Sequence, residues 1–230
     1  MKQVGPSEPL VWRGYRLELM PQKAVWDPQQ RLLLAADLHL GKAECLQPHG
    51  IALPSDGDAS TLNALLSLVH RCRPKAVVVL GDLIHSRLGL TEELRQKIRA
   101  LPELMGCPLT LIGGNHERGS WLDGLSMANA QPHGPWWLSH APDPQEGRLN
   151  LCGHRHPVAV VGNTVDRLRL PCFAFDPQTN VLTLPAFGHL TGGHPCSPRE
   201  QVWLVAEGQV WPWQSGPSRP RPGHAPRRLG

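Results

Sequence analysis

The chain has 230 residues, with 23 Lys and Arg against 19 Asp and Glu and a formal net charge of +4. At roughly 150 residues per domain, this is one large domain or two small ones, long enough for a sizeable core. Hydrophobic residues make up 40% and the mean hydropathy is −0.27, with no run near the ~18 to 20 apolar residues of a membrane span. Membrane-spanning, collagen-like and coiled-coil classes are excluded.

The first ten residues lack the apolar segment of a signal peptide, so a cytoplasmic protein is expected. Residues 10–12, 15–19 and 24–26 read as short strands, followed by 31–36 (RLLLAA). Residues 59–71 place Leu62, Leu65, Leu66 and Val69 at helical spacing, with Asp58 or Ser60 as the cap. A strand at 75–80 (KAVVVL) precedes an amphipathic helix over 91–104, where Thr91 begins a partial capping box. Residues 109–112, 136–139 and 150–152 are again apolar and abruptly ended. Continuous apolar runs of this length suit strands buried on both faces. Beyond them, 158–161, 167–170, 173–175, 181–184, 201–205 and 209–211 are strand-like, separated by turn residues and without helical period. These predict antiparallel strands extending a second sheet. The expected shape is an α/β, two-sheet sandwich flanked by helices, a single domain over 1–213.

Residues 214–230 hold Arg219, Arg221, Arg227 and Arg228 and no Asp or Glu. Without them the body is formally neutral, with 19 basic and 19 acidic residues. A tail so rich in Pro, Gly and Arg is expected to be flexible. The six cysteines, widely spaced and without a C-x-x-C pair, read as free thiols of a reducing compartment.

Five polar clusters sit immediately after strand-like runs. They are Asp37-Leu38-His39, Gly81-Asp82, Gly114-Asn115-His116-Glu117, Ser139-His140 and Gly153-His154-Arg155-His156. Ligands of open α/β sheets bind outside the carboxyl ends of strands, so five loops can converge on one site. Imidazoles suit Zn, Fe or Ni, while carboxylate and amide oxygens favour Mn or Mg. The mixture points to a dinuclear site with one shared carboxylate, and no thiolate is placed to make it a structural zinc site. Each motif alone is a weak signal; all five in this order carry the reading.

In that order the clusters resemble the calcineurin-like metallophosphoesterase superfamily. Within it the chain is similar to the branch of ligase-associated DNA-damage-response endonucleases, through ADLHLGKAE (36–44), GIALP (50–54), LGDLIHSR (80–87), RLRLPCF (167–173) and LPAFGHLTGG (184–193). The likeness covers about residues 10–211. It implies a metallophosphoesterase sandwich with the metal site at the C-terminal ends of strands. Asp37, His39 and His156 would hold one divalent ion, Asn115, His140 and His154 the other, and Asp82 would bridge them. His116 would protonate the leaving oxygen or stabilise the transition state, and Glu117 would orient His116. Mn²⁺ is the expected metal, with Mg²⁺, Fe²⁺, Zn²⁺ or Ni²⁺ as alternatives. The physical logic stands beside the likeness. Two cations ~3.5 to 4 Å apart offset the charge of a phosphodiester and acidify a shared water, and a positioned His acid adds about 10² to 10⁴-fold.

Arg87, Arg118 and His85 are candidate substrate contacts, as is Lys42 more remotely; each also reads as an ordinary surface or supporting residue. His189 and His194 read as non-ligands within a turn-rich stretch. Trp136 reads with Trp137 as one core and one exposed face. The implied activity is a DNA endonuclease acting on single strands, in a repair context with an ATP-dependent DNA ligase and a helicase. The alternatives are a small-molecule phosphodiesterase or pyrophosphatase, and a non-catalytic scaffold. Because the excess positive charge lies in the tail, attraction for phosphate is assigned to metal ions rather than to a basic surface.

Overall fold

The computed structural model describes residues 6–47, 50–51, 56–117, 125–162, 166–189 and 191–213. Among them, a seven-stranded sheet runs in chain order. β1 (Glu8–Trp12), β2 (Tyr15–Leu19), β3 (Val25–Asp27) and β4 (Leu32–Ala35) pair antiparallel; β5 (Ala76–Leu80), β6 (Leu109–Ile112) and β7 (Ser126–Ala128) continue it in parallel. Between β4 and β5 lie α1 (Lys42–Leu46) and α2 (Gly57–Cys72); α3 (Glu92–Met105) joins β5 to β6.

The apolar runs are continuous because both faces of this sheet are covered. Leu33, Ala35, Val77 and Val79 face a core shared with Leu62, Leu65, Leu68 and Val69 of α2 and Leu94, Ile98 and Leu101 of α3. The alternate residues Leu32, Leu34, Val78 and Leu80 face a second core against Trp136, Leu138, Leu149, Leu151 and Phe173 of the other sheet. Period-2 alternation thus divides each strand between two cores. The helices on the first core leave the far side of the second sheet without one among the described residues, giving the order helices, sheet, sheet.

That second sheet contains β8 (Gln131–His133), β9 (Trp136–Leu138), β10 (Leu149–Cys152), β11 (Pro157–Gly162), β12 (Arg167–Asp176), β13 (Val181–Thr183), β14 (His194–Pro195), β15 (Gln201–Ala206) and β16 (Gln209–Trp213). The expected antiparallel pairing is found between β11 and β12, β12 and β13, β12 and β15, and β15 and β16, but it does not hold throughout the sheet. β10 pairs parallel with both β9 and β13, and β11 with β14. Short apolar runs carry no direction, and β13 is returned alongside β10 by the intervening hairpin of β11 and β12. Residues 167–170 and 173–175 also form one strand. Pro171 does not divide them, because it sits opposite Val158 at the near end of the β11 pairing.

The helix caps differ from expectation in one case. Thr91 caps α3, its hydroxyl accepting the Leu94 N–H at 3.2 Å. For α2 the N-cap is Asp56, without a side-chain bond, rather than Asp58 or Ser60. Asp58 is instead drawn off to accept the Gly41 N–H at 2.7 Å, tying α2 to the loop before α1. All six cysteines are free. No helix among the described residues is long and apolar enough to cross a membrane. Residues 214–230, with their arginines, lie outside the described residues, as do His49, 52–54 and Leu190.

Candidate metal centre

The five clusters follow the carboxyl ends of β4, β5, β6, β9 and β10, so both sheets deliver side chains to one place. Beyond the strand ends the first two loops remain paired: Asp37 N–H donates to Gly81 O, His39 N–H to Asp82 O and Leu40 N–H to Leu83 O, at 3.0 to 3.2 Å. Segment 184–188 then crosses between the sheets, Leu184 N–H donating to Cys152 O and Phe187 N–H to Ala36 O. The glycine-containing motifs interlock. A Cβ on Gly81 would overlap the His140 ring, and one on Gly114 would lie 2.5 Å from Asp82 N. A glycine in one cluster is thereby required by a side chain of another.

Asp37, His39, Asp82, His154 and His156 all have left-handed backbones, with φ between 46° and 67°. That conformation costs an ordinary L-residue roughly 1–2 kcal/mol. Its concentration in these loops marks a site whose side-chain aim is enforced by the surrounding fold.

Three groups of donors have their ligand atoms within 4.8 Å of one another: Asp37, His39 and His156; His39, Asp82 and His116; and Asp82, His140 and His154. Asp82 stands between them. Its Oδ2 lies 3.6 Å from His140 Nε2, 3.7 Å from His116 Nε2 and 4.0 Å from His39 Nε2. Its Oδ1 accepts the His116 backbone N–H at 3.2 Å. Asn115 Nδ2 is 3.3 Å from His154 Nδ1, which is itself 3.0 Å from His140 Nε2. His39 Nε2 and His156 Nε2 are 3.2 Å apart. The structure thus gathers all seven expected donors and His116 into one cluster.

The donor set fits divalent cations. His140 Nδ1 is 3.1 Å from Leu80 O and His156 Nδ1 is 3.2 Å from Gly192 O, so both donate there and leave Nε2 lone pairs directed inward. Asp37 Oδ2 accepts the His154 N–H, but its Oδ1 is buried without a hydrogen bond and faces His156 Nε2 at 3.4 Å. Burial, followed by its imidazole neighbours, holds His39 down to about 2, and burial also lowers His154. Both are neutral at physiological pH, the form that ligates a metal. Burial pulls on His156 in the same direction, but Asp37 beside it outweighs burial and leaves it raised. A cation among these groups would answer both the unpartnered carboxylate oxygen and the converging lone pairs.

Glu117 departs from its expected part. Its buried carboxylate accepts backbone N–H bonds from Gly114 at 2.9 Å, Asp82 at 3.0 Å and Ile84 at 3.3 Å, and so clamps two loops together rather than orienting His116. Burial raises its pKa. The ring beside His116 belongs to His85, stacked at 5.6 Å and 26°, with His39 edge-on at 5.4 Å. Arg87 lies exposed on a 3₁₀ turn, Arg87–Gly89, and is not one of the three donor groups. Lys42 is part-buried at the start of α1, lining a small cleft with His39 and His189. Arg118 lies outside the described residues. His194 is exposed, Trp136 is fully buried and donates to Asp27, and Trp137 donates to Asp143. Sequence reading missed Lys23 and Arg169. Both line a cleft that reaches His156; Lys23 lies near no motif, and Arg169 lies within RLRLPCF, a stretch to which the resemblance attached no residue role.

A family model described as calcineurin-like phosphoesterase matches residues 30–171. Among solved structures, the chain is similar to the Pseudomonas putida nuclease MPE at 32% identity and a TM-score of 0.76, covering 90% of this chain and 100% of that one. A looser likeness, at 14% identity and a TM-score of 0.40, is to Yfce, a phosphoesterase from E. coli, covering 76% of this chain and 87% of that one. No curated protein matches the chain.

Proposed function

Since the chain belongs to the calcineurin-like phosphoesterase family, whose members are metal-dependent hydrolases, we propose that it is a two-metal, Mn²⁺-dependent DNA endonuclease acting on single strands in DNA repair. One observation carries the two-metal part: a single Asp82 oxygen lies within 4.0 Å of imidazole nitrogens from both donor groups. The similarity to a protein described as a nuclease supports a nucleic acid as substrate. In this reading 1–213 form the catalytic domain and 214–230 an appended tail.

Asp37, His39 and His156 would hold one ion and Asn115, His140 and His154 the other, with Asp82 shared. Bound divalent ions supply charge neutralisation of the phosphodiester and an acidified water as nucleophile. The chain's own residues do the rest. Leu80 O and Gly192 O fix the ring orientations of His140 and His156. The His116 side chain is 37% exposed and anchored through its backbone to Asp82, so it can reach the departing oxygen and deliver a proton to it. A strand without a partner can bend its backbone into this shallow centre, which favours single-stranded over duplex DNA.

The test is nicking of circular single-stranded DNA across Mn²⁺, Mg²⁺, Fe²⁺, Zn²⁺ and Ni²⁺, with Asp82→Ala as control. Mn²⁺-dependent nicking that disappears with chelator and in the folded Asp82→Ala protein is expected. Robust hydrolysis of small nucleotides without nicking would overturn the endonuclease reading, and wild-type-like turnover by Asp82→Ala would overturn the bridging assignment.

A further inference from the structure

A cleft of about 280 Å³ opens from His156 along residues 186–189 and 191–193. Two cations border it. Lys23 Nζ donates to Gly188 O at 3.0 Å, and the exposed Arg169 guanidinium donates to Gly193 O. Among the described lining residues there is no Asp or Glu, and no described carboxylate forms an ion pair with Lys23. Val158 and Pro171 are among the apolar residues of its lining.

Lys23 is an unusual residue to find here. It occupies a left-handed position, φ 66°, in the tight turn between β2 and β3, where its N–H donates to Met20 O. Its ammonium is largely buried, and that burial depresses its pKa to about 8. A strained, desolvated cation without a counter-charge is costly to the fold alone. An anion delivered to the cleft would supply the missing counter-charge, and each ammonium bonds up to three acceptors, of which the described residues fill one. The combination of two cations with apolar lining residues suits a phosphate with its attached sugar.

We propose that this cleft is a strand subsite, binding the phosphate and sugar next to the scissile diester on the same nucleic-acid strand. The assignment rests on the nucleic-acid reading of the metal centre, which shares His156 with the cleft. Its consequence is selectivity: Lys23 and Arg169 favour a polymeric diester over one with a single phosphate. They act on binding, away from the reacting atoms.

The experiment compares wild type, Lys23→Met, Arg169→Met and the double variant on two substrates, a quenched fluorescent single-stranded oligonucleotide and bis(p-nitrophenyl) phosphate. Turnover of the second reports an intact fold and centre. The double variant should raise the oligonucleotide KM about tenfold or more while kcat and small-diester kcat/KM stay within about twofold. The salt dependence of oligonucleotide binding should also become shallower, by about 0.7 in log–log slope for each phosphate no longer neutralised. An unchanged oligonucleotide KM, or an equal loss on both substrates in the exposed-site variant Arg169→Met, overturns the subsite. A wild-type protein that hydrolyses the small diester but neither binds nor cuts the oligonucleotide overturns the nucleic-acid reading itself, and the subsite with it.

Discussion

Replacing Gly81 with Ala should disable the metal centre while leaving the two sheets standing. Gly81 has φ +82°, and its added methyl would lie 2.5 Å from His140 Cγ, where ordinary contact is 3.4–4 Å. Nδ1 of the same ring lies closer still, so the imidazole must retreat by more than 1 Å, a displacement able to cost ~10²-fold in rate. It would also pull Nδ1 from Leu80 O, at 3.1 Å, and release the ring orientation that this bond fixes. The left-handed backbone adds roughly 1–2 kcal/mol of strain, well within the 5–15 kcal/mol stability of a typical domain. Bis(p-nitrophenyl) phosphate hydrolysis should therefore fall about 100-fold, bound metal per chain should drop, and far-ultraviolet circular dichroism should be unchanged. Gly106→Ala is the matched control, because Gly106 has φ +63° but no atom within 4 Å of where its methyl would lie. It should show comparable loss of melting temperature with full activity. Equal activity losses in the two variants, or wild-type turnover by folded Gly81→Ala, would refute the reasoning.

Three further outcomes are expected. His116→Ala should keep its metals by elemental analysis but lose about 10² to 10⁴-fold in kcat; loss of metal together with rate would instead make His116 a ligand. Glu117→Ala leaves three backbone N–H groups without their acceptor, costing about 3 kcal/mol in urea unfolding, and a loss under about 0.5 kcal/mol would contradict the clamp. Lys23→Met should stabilise the chelator-treated protein. Its pKa falls from 10.5 to about 8 on burial, worth roughly 3 kcal/mol, less about 1 kcal/mol for the lost bond to Gly188 O. Between pH 8 and 10.5 the unfolded chain holds the extra proton, so wild-type stability rises with pH through that window. The lead of Lys23→Met is thus full below pH 8 and fades toward pH 10.5; urea midpoints showing a pH-independent lead would contradict it.

The five clusters were legible because each ends an apolar strand run, and strand ends in parallel sheets are where side chains converge. The positions of the buried strands were legible for the same reason, since two-sided burial of β4 and β5 leaves an unbroken apolar signature, whereas the short β7, β8 and β14, without a buried residue, leave none. Direction was not legible, since β13 pairs parallel to β10 through a connection that no local pattern encodes. Glu117 was associated with His116 by adjacency, whereas its true partners, the Asp82 and Ile84 amides, come from another loop. Lys23 and Arg169 were illegible for a related cause. They lie in a turn and a strand far apart in sequence and share a cleft only after packing.

The division of the centre between two sheets bears on the order in which the protein assembles. Asp37, His39, Asp82 and Asn115 follow strands of the first sheet, while His140, His154 and His156 follow strands of the second. Asp37 and His154 meet across 117 positions of chain. A chain with only its first sheet formed would carry four of the seven proposed donors and lack the other three, so cation capture would be a late event in folding, following the docking of the sheets. Pairings this distant slow the search for the native state. The cation would then secure the docked state by mass action, making chelation a way to separate the docking of the sheets from the folding of each.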